Sequence, residues 1–166
     1  MVPVRILVLA DSHIPDHARA LPGALVPALR RADLILHAGD VTTAAVLREI
    51  GAFAPVKVAF GNNDRPNVRR WGAREEVELA IEGMRVALVH DTGPRVGRTG
   101  RLRRRFPEAH LVVFGHSHIP IDAIEDGLRL FNPGSPTWTR RQPAPTYGVL
   151  DVAAGRVRSR IVELPV

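Results

Sequence analysis

The stretch "VVFGHSHIP", residues 112–120, decides how the chain is read. A short run rich in β-branched and aromatic residues ends at Gly115, and two histidines follow with one serine between them. The apolar run reads as a buried strand. A histidine inside a core usually stands alone, its ring nitrogens satisfied by neighbours. Two of them at i and i+2, in a sharp turn at a strand end, read as ligands. The same order of residues recurs along the chain. "VRILVLA" (4–10) runs into Asp11-Ser12-His13, and "DLILHAG" (33–39) into Asp40. "PVKVAFG" (55–61) runs into Asn62-Asn63-Asp64, and the apolar run from 84 into His90-Asp91. Glycines at 39, 61 and 115 are expected to turn the backbone sharply and aim the next side chain inward. In open α/β sheets, ligands bind beyond the carboxyl ends of the strands.

Between these strands lie helix-like segments. Residues 20–31 are expected to be helical in spite of Pro22 and Pro27, as are 41–51, with Thr42 or Thr43 as cap and Gly51 as stop. Residues 98–106 are a third helical segment. Residues 74–81 and 84–90, separated by "EG", read as a hairpin. The segment from 119 reads as strands joined by a "DG" turn, and "TYGVLDVAAGRVRSRIVEL" as a closing hairpin. The first half is parallel βαβα in character and the second half is richer in antiparallel hairpins. The expected fold is α/β: two packed mixed β-sheets flanked by helices, a four-layer α/β/β/α sandwich.

The 166 residues suit a single domain, 1–166, with one substantial core. The longest apolar runs are too short to cross a bilayer. The N-terminus carries Arg5 inside its apolar run and no small-residue cleavage site, so the expected location is the cytoplasm. Cysteine is absent, which excludes disulfides and thiolate chemistry. The net charge is +6, and of 23 basic residues only Lys57 is a lysine, a skew better explained by genome composition than by function. No nucleic-acid reading motif accompanies the charge.

The strand-end donors are carboxylates, an amide and imidazoles. That mixture suits Mn²⁺, Fe, Ni²⁺, Co²⁺ or Zn²⁺, and suits Ca²⁺ poorly. There are more donors than one tetrahedral zinc needs, and the seven can hold two ions if one carboxylate bridges them.

The pieces "DSH", "GD", "GNND", "VH" and "GHSH" stand in this order in the chain. Together they resemble the calcineurin-like metallophosphoesterases, over residues 1–135, and the short length is similar to the small bacterial and archaeal phosphodiesterase branch. That branch also carries an "NPGS" turn, matched by Asn132-Pro133-Gly134-Ser135. The resemblance implies one ion held by Asp11, His13, Asp40 and His118, and another by Asp40, Asn62, His90 and His116, with Asp40 as the bridge. It implies manganese before the other divalent transition metals, and hydrolysis of a small phosphodiester by a hydroxide between the ions. Many members carry a histidine where this chain has Asn63. An amide donates a hydrogen bond but is no general acid at ordinary pH. Asp64 is expected to orient its neighbour. The branch includes homodimers. The alternatives are a non-catalytic scaffold, as the retromer subunit of this fold resembles, or a nuclease docking through the arginine-rich segment 95–106.

Other residues receive blander readings. His37 is expected to be packed behind the site, and His17 and His110 to lie at the surface or a strand edge. Arg98, Arg101 and Arg105 share one helix face over inward Leu102 and Phe106, a face expected to be solvated. Arg65 follows "GNND" closely enough to reach a substrate phosphate or to serve the surface. The "NPGS" segment is a rigid turn, or a loop lending backbone N–H groups to a phosphate.

Overall fold

Period-two alternation with both faces apolar sets the architecture. In the computed structural model, which describes residues 2–166, β1 (Val4–Leu9) turns Ile6 and Val8 to one side and Leu7 and Leu9 to the other, all fully or nearly fully buried. It pairs in parallel with β2 (Leu34–His37), which pairs in parallel with β3 (Val56–Val58). On its other edge β1 pairs antiparallel with β9 (Thr146–Ala153), itself hairpinned to β10 (Arg156–Glu163). The first sheet is therefore ordered β10-β9-β1-β2-β3.

The second sheet is ordered β4-β5-β6-β8-β7, from β4 (Glu76–Ile81), β5 (Met84–Val89), β6 (Leu111–Val113), β7 (Ile121–Glu125) and β8 (Leu128–Asn132). β5, β6 and β8 are parallel; β4 and β7 are antiparallel edges. The three hairpins turn on Glu82-Gly83, Asp126-Gly127 and Ala154-Gly155, each with both residues at positive φ. That is the turn whose twist matches paired strands.

The sheets face each other across Ile6, Val8, Leu36 and Leu150 on one side and Val86, Leu88, Leu111, Val113 and Phe131 on the other. The Phe131 ring enters the gap left by Gly148 on β9, where even a Cβ would collide with it. The outer face of the first sheet is covered by α1 (Val26–Leu29), α2 (Ala44–Gly51) and α3 (Pro66–Trp71), through Leu29, Val46, Leu47, Ile50 and Val68. The outer face of the second sheet is covered by α4 (Arg98–Arg105), through Leu102 and the following Phe106. The layers are α/β/β/α, as expected. Among the described residues no helix is long and apolar enough to cross a membrane.

Two helical expectations are corrected. Residues 20–31 form only a short 3₁₀ turn, Gly23–Leu25, and the single turn of α1, with Pro27 at its start. A proline lacks the N–H that would extend a helix through it. The six-residue α3 was not anticipated. It begins at Pro66 and stops at Gly72, whose φ is +132°. Thr43 does stand at the start of α2, but its hydroxyl donates to Ile14 O rather than capping the helix.

Candidate metal centre

All seven expected donors lie at one end of the sandwich. The loops after β1, β2 and β3 bring Asp11, His13, Asp40 and Asn62 from the first sheet. The loops after β5 and β6 bring His90, His116 and His118 from the second. Asp11, His13, Asp40, His116 and His118 all have positive φ, between +45° and +71°. Non-glycine residues seldom adopt that region, and such strain gathers at functional sites. Here it turns each side chain back over the strand end.

The side chains form two clusters, with Asp40 between them and Asp11 within reach of both. Asp40 Oδ2 lies 3.5 Å from His13 Nε2 and 3.4 Å from His90 Nε2. On the first side His13 Nε2 and His118 Nε2 are 3.2 Å apart, and Asp11 Oδ1 is 3.9 Å and 3.7 Å from them. On the second, Asn62 Oδ1 lies 2.9 Å from His90 Nε2 and 3.2 Å from His116 Nδ1. Donors bound at about 2.1 Å around one ion stand roughly 3–3.5 Å from each other, so most of these spacings suit a shared cation. Asp11, Asp40 and His90 also come within 4.8 Å of one another. His116 and Asn62 are the exposed donors, the His116 side chain at 47%.

Three further observations fit a divalent ion. Asp11 Oδ2 is buried without a hydrogen-bond partner. His90 Nδ1 donates to Ala38 O and His118 Nδ1 to Trp138 O, both at 2.7 Å. A carbonyl can only accept, so each Nε2 lone pair is left facing the cluster, the arrangement usual for metal-ligating histidines.

The profile of the calcineurin-like phosphoesterase superfamily domain matches residues 4–155. The chain belongs to that superfamily. A probable metallophosphoesterase of Methanothermobacter thermautotrophicus is 37% identical over 160 residues, 93% of this chain and 90% of the relative. Another from Methanocaldococcus jannaschii is 35% identical over 134 residues, 80% and 68% of the two chains. The fold is also that of vacuolar protein sorting 29 from Cryptosporidium parvum, at TM-score 0.78 and 19% identity over 99% of both chains. The zinc complex of Vps29 from Entamoeba histolytica matches equally well, at TM-score 0.78 and 21% identity over 96% and 98%.

Without an ion, this phosphoesterase centre holds protons. Burial pushes Asp11 up to about 7 against the pull of His90. Burial would lower His90, but its bond to Asp40 and the charges of Asp40 and Asp11 raise it to about 9. Burial would raise Asp40, but His90 and two hydrogen bonds from Asn63 hold it well below the usual carboxylate range. Burial keeps His13 neutral, lowered to about 4, and lowers His118. Ligation requires all of these groups unprotonated. Ion uptake at pH 7 should therefore release roughly one to two protons, from His90 and in part from Asp11. Affinity should climb with pH until His90 has titrated, near 9. Titration calorimetry in two buffers of different ionisation enthalpy reads the release directly; a value of zero would contradict this charge state.

The expected role of the three glycines needs correction. Gly39 does turn at φ +92°, but Gly61 and Gly115 do not have positive φ. They are needed for space. A Cβ at Gly61 would collide with Asp40 Oδ1 and Asp40 N, and one at Gly115 would meet Asp11 Oδ2 at 2.9 Å. Gly61→Ala should displace the shared carboxylate and weaken ion binding about 10–100-fold, measured by competition with a chelating dye. Unchanged affinity would show that Gly61 does not set the position of Asp40.

Around the donors, Asp64 organises the loops. Its carboxylate accepts from Gly61 N, Asp40 N and Thr42 N at 2.7, 3.1 and 2.7 Å. Among the described residues it makes no hydrogen bond to a donor side chain. Asn63 is exposed and lies on Asp40, its N–H and Nδ2 each 2.8 Å from a carboxylate oxygen. His37 is buried behind the site, between Ser12 Oγ and Gly39 N. His110 is exposed, its Nδ1 accepting from Arg85 N.

The "NPGS" turn is a clamp. Gly134 N is spent on Asn132 Oδ1, and Ser135 Oγ donates to Asp11 O while accepting from Trp138 N. Thr137 Oγ1 donates to Ser12 O. Arg65 pairs with Asp16 at 2.9 Å. The arginine face of α4 is not simply solvated: Arg101 donates to Thr92 O, Pro94 O and Val96 O, and Arg105 to Glu76 and Asp91 O. Sequence reading passed over Trp138. Its only signal was an aromatic residue just after a rigid turn, yet its carbonyl orients His118 and its ring stands against His13 and His118.

Proposed function

We propose that the protein is a dinuclear metal-dependent phosphodiesterase acting on a small phosphodiester. The observation that carries this reading is Asp40 Oδ2, which lies 3.5 Å from His13 Nε2 and 3.4 Å from His90 Nε2. Asp11, His13, Asp40 and His118 would hold one ion; Asp40, Asn62, His90 and His116 the other. Manganese is the first choice among the divalent transition metals, with Ni, Co, Fe and Zn also suited to the donors. Bound divalent ions supply water acidic enough to ionise near neutral pH and neutralise charge on the phosphoryl oxygens.

The chain's own residues do the rest. A cavity of about 550 Å³ opens beside Asn62, His90 and His116, lined also by Phe60, Val89 and Arg105 and by the carboxylates of Glu75 and Asp91. It offers room for one ester group of the substrate. Asn63 holds the shared carboxylate by two hydrogen bonds and carries no titratable proton. The leaving group must then depart as an anion or take its proton from water, which favours esters of acidic alcohols.

A second reading, a non-catalytic scaffold, is favoured by one feature. Asn63 stands where many relatives of this family carry histidine, and its amide is turned onto Asp40 rather than left free. Chelator-stripped protein, reloaded with each ion, should hydrolyse bis-p-nitrophenyl phosphate. Two bound ions without turnover would shift the weight to the scaffold.

A further inference from the structure

We propose that Arg140 is the phosphate anchor of this centre, gripping the phosphoryl oxygens from the side of Asp11, His13 and His118. The inference rests on the phosphoesterase reading of the same site.

Trp138 connects Arg140 to the donors. Its ring meets those of His13 and His118 edge-on, each with centroids 5.1 Å apart. His17, exposed and expected to lie at the surface or a strand edge, stacks on the same indole at 3.5 Å and 14°. The Arg140 guanidinium carbon lies 4.7 Å from the Trp138 ring centroid. Stacking occupies the face of a guanidinium and leaves its N–H edge unspent.

What sets Arg140 apart is its place beside the donors, since carboxylates hold only a minority of the arginines. The arginine–carboxylate pairs among the described residues take Arg5, Arg65, Arg69, Arg105 and Arg129. Arg140 has no such partner. Its backbone sits at φ +52°, a region that long side chains rarely adopt, and one found at ligand clamps. An exposed, strained, unpaired cation beside the donor cluster is arranged for an anion. The planar fork matches two phosphoryl oxygens. The cavity near Phe60 opens beside His90 and His116 instead, so the anchor and the ester group would approach from different donors.

The test is orthophosphate binding to the Mn²⁺-loaded protein, by calorimetry, with ion content measured in parallel. Arg140→Gln should weaken phosphate about tenfold or more, and Arg140→Lys should recover part of it. Both should retain the wild-type number of ions. Arg140→Gly, which relieves the positive φ, should keep or raise the Tm while losing the same affinity. Equal phosphate affinity in Arg140→Gln and wild type overturns the proposal, as does wild-type protein that binds ions but no phosphate. Arg140-dependent phosphate binding in a protein that hydrolyses no diester would overturn the esterase reading alone and leave the anchor standing.

Discussion

Asp40→Asn should lower metal-dependent turnover of bis-p-nitrophenyl phosphate by about 10³-fold or more. Two properties of Asp40 set that size. Its Oδ2 is the atom nearest to both halves of the donor set, and it is held ionised by His90 and Asn63. An amide in its place offers either a neutral oxygen or an NH₂ group, and neither draws two cations together. Ion content should fall from two per chain towards one, read by elemental analysis after gel filtration. The layers should be unaffected, because the Asp40 side chain packs against polar neighbours at the sandwich end rather than between the sheets. A variant that keeps two ions and turns over within a factor of ten of wild type would remove the shared carboxylate from the mechanism.

Phe131→Ala should destabilise the protein by about 3–5 kcal/mol. Phe131 is fully buried on β8 and projects across the interface into the gap at Gly148 on β9. It is a peg from one sheet in a hole of the other. Its removal takes away a large apolar area and opens a cavity that rigid strands on both sides cannot close. For a chain of this size that amounts to a fall in Tm of roughly 10 °C. Urea denaturation gives the free energy directly, and a loss below about 1 kcal/mol would mean the sheets relax towards each other. Gly148→Ala should also destabilise, by the opposite fault of overfilling, and the pair with Phe131→Leu should partly compensate.

Much of this was legible in the sequence because one local pattern recurs. Apolar runs of strand length end, five times, in Asp, His or Asn, and the structure brings those five ends together. Two hairpins were marked by Glu82-Gly83 and Asp126-Gly127, where turn chemistry is local, and the closing hairpin turns on Ala154-Gly155. The misses have equally local causes. Residues 20–31 have a helical apolar pattern, but Pro22 and Pro27 interrupt it, and the backbone followed the prolines. α3 is too short for any periodicity and is announced only by Pro66 and Gly72. Gly61 and Gly115 were assigned to turning, whereas their need is for space beside residues distant in sequence, which no local pattern reveals. Trp138 and Arg140 belong to the site through tertiary packing alone.

The donors divide by sheet, and this has a consequence for the order of events as the chain is made. Asp11, His13, Asp40 and Asn62 precede His90, His116 and His118, and β1 gains its partner β9 only from the last stretch of chain. A growing chain thus carries half a centre on an unfinished sheet whose first strand has an open edge. The complete donor set exists only once both sheets are in place. A chain cut anywhere between Asn62 and His90 would leave four donors on one piece and three on the other, and neither piece would keep Asp40 together with both of the histidines it faces.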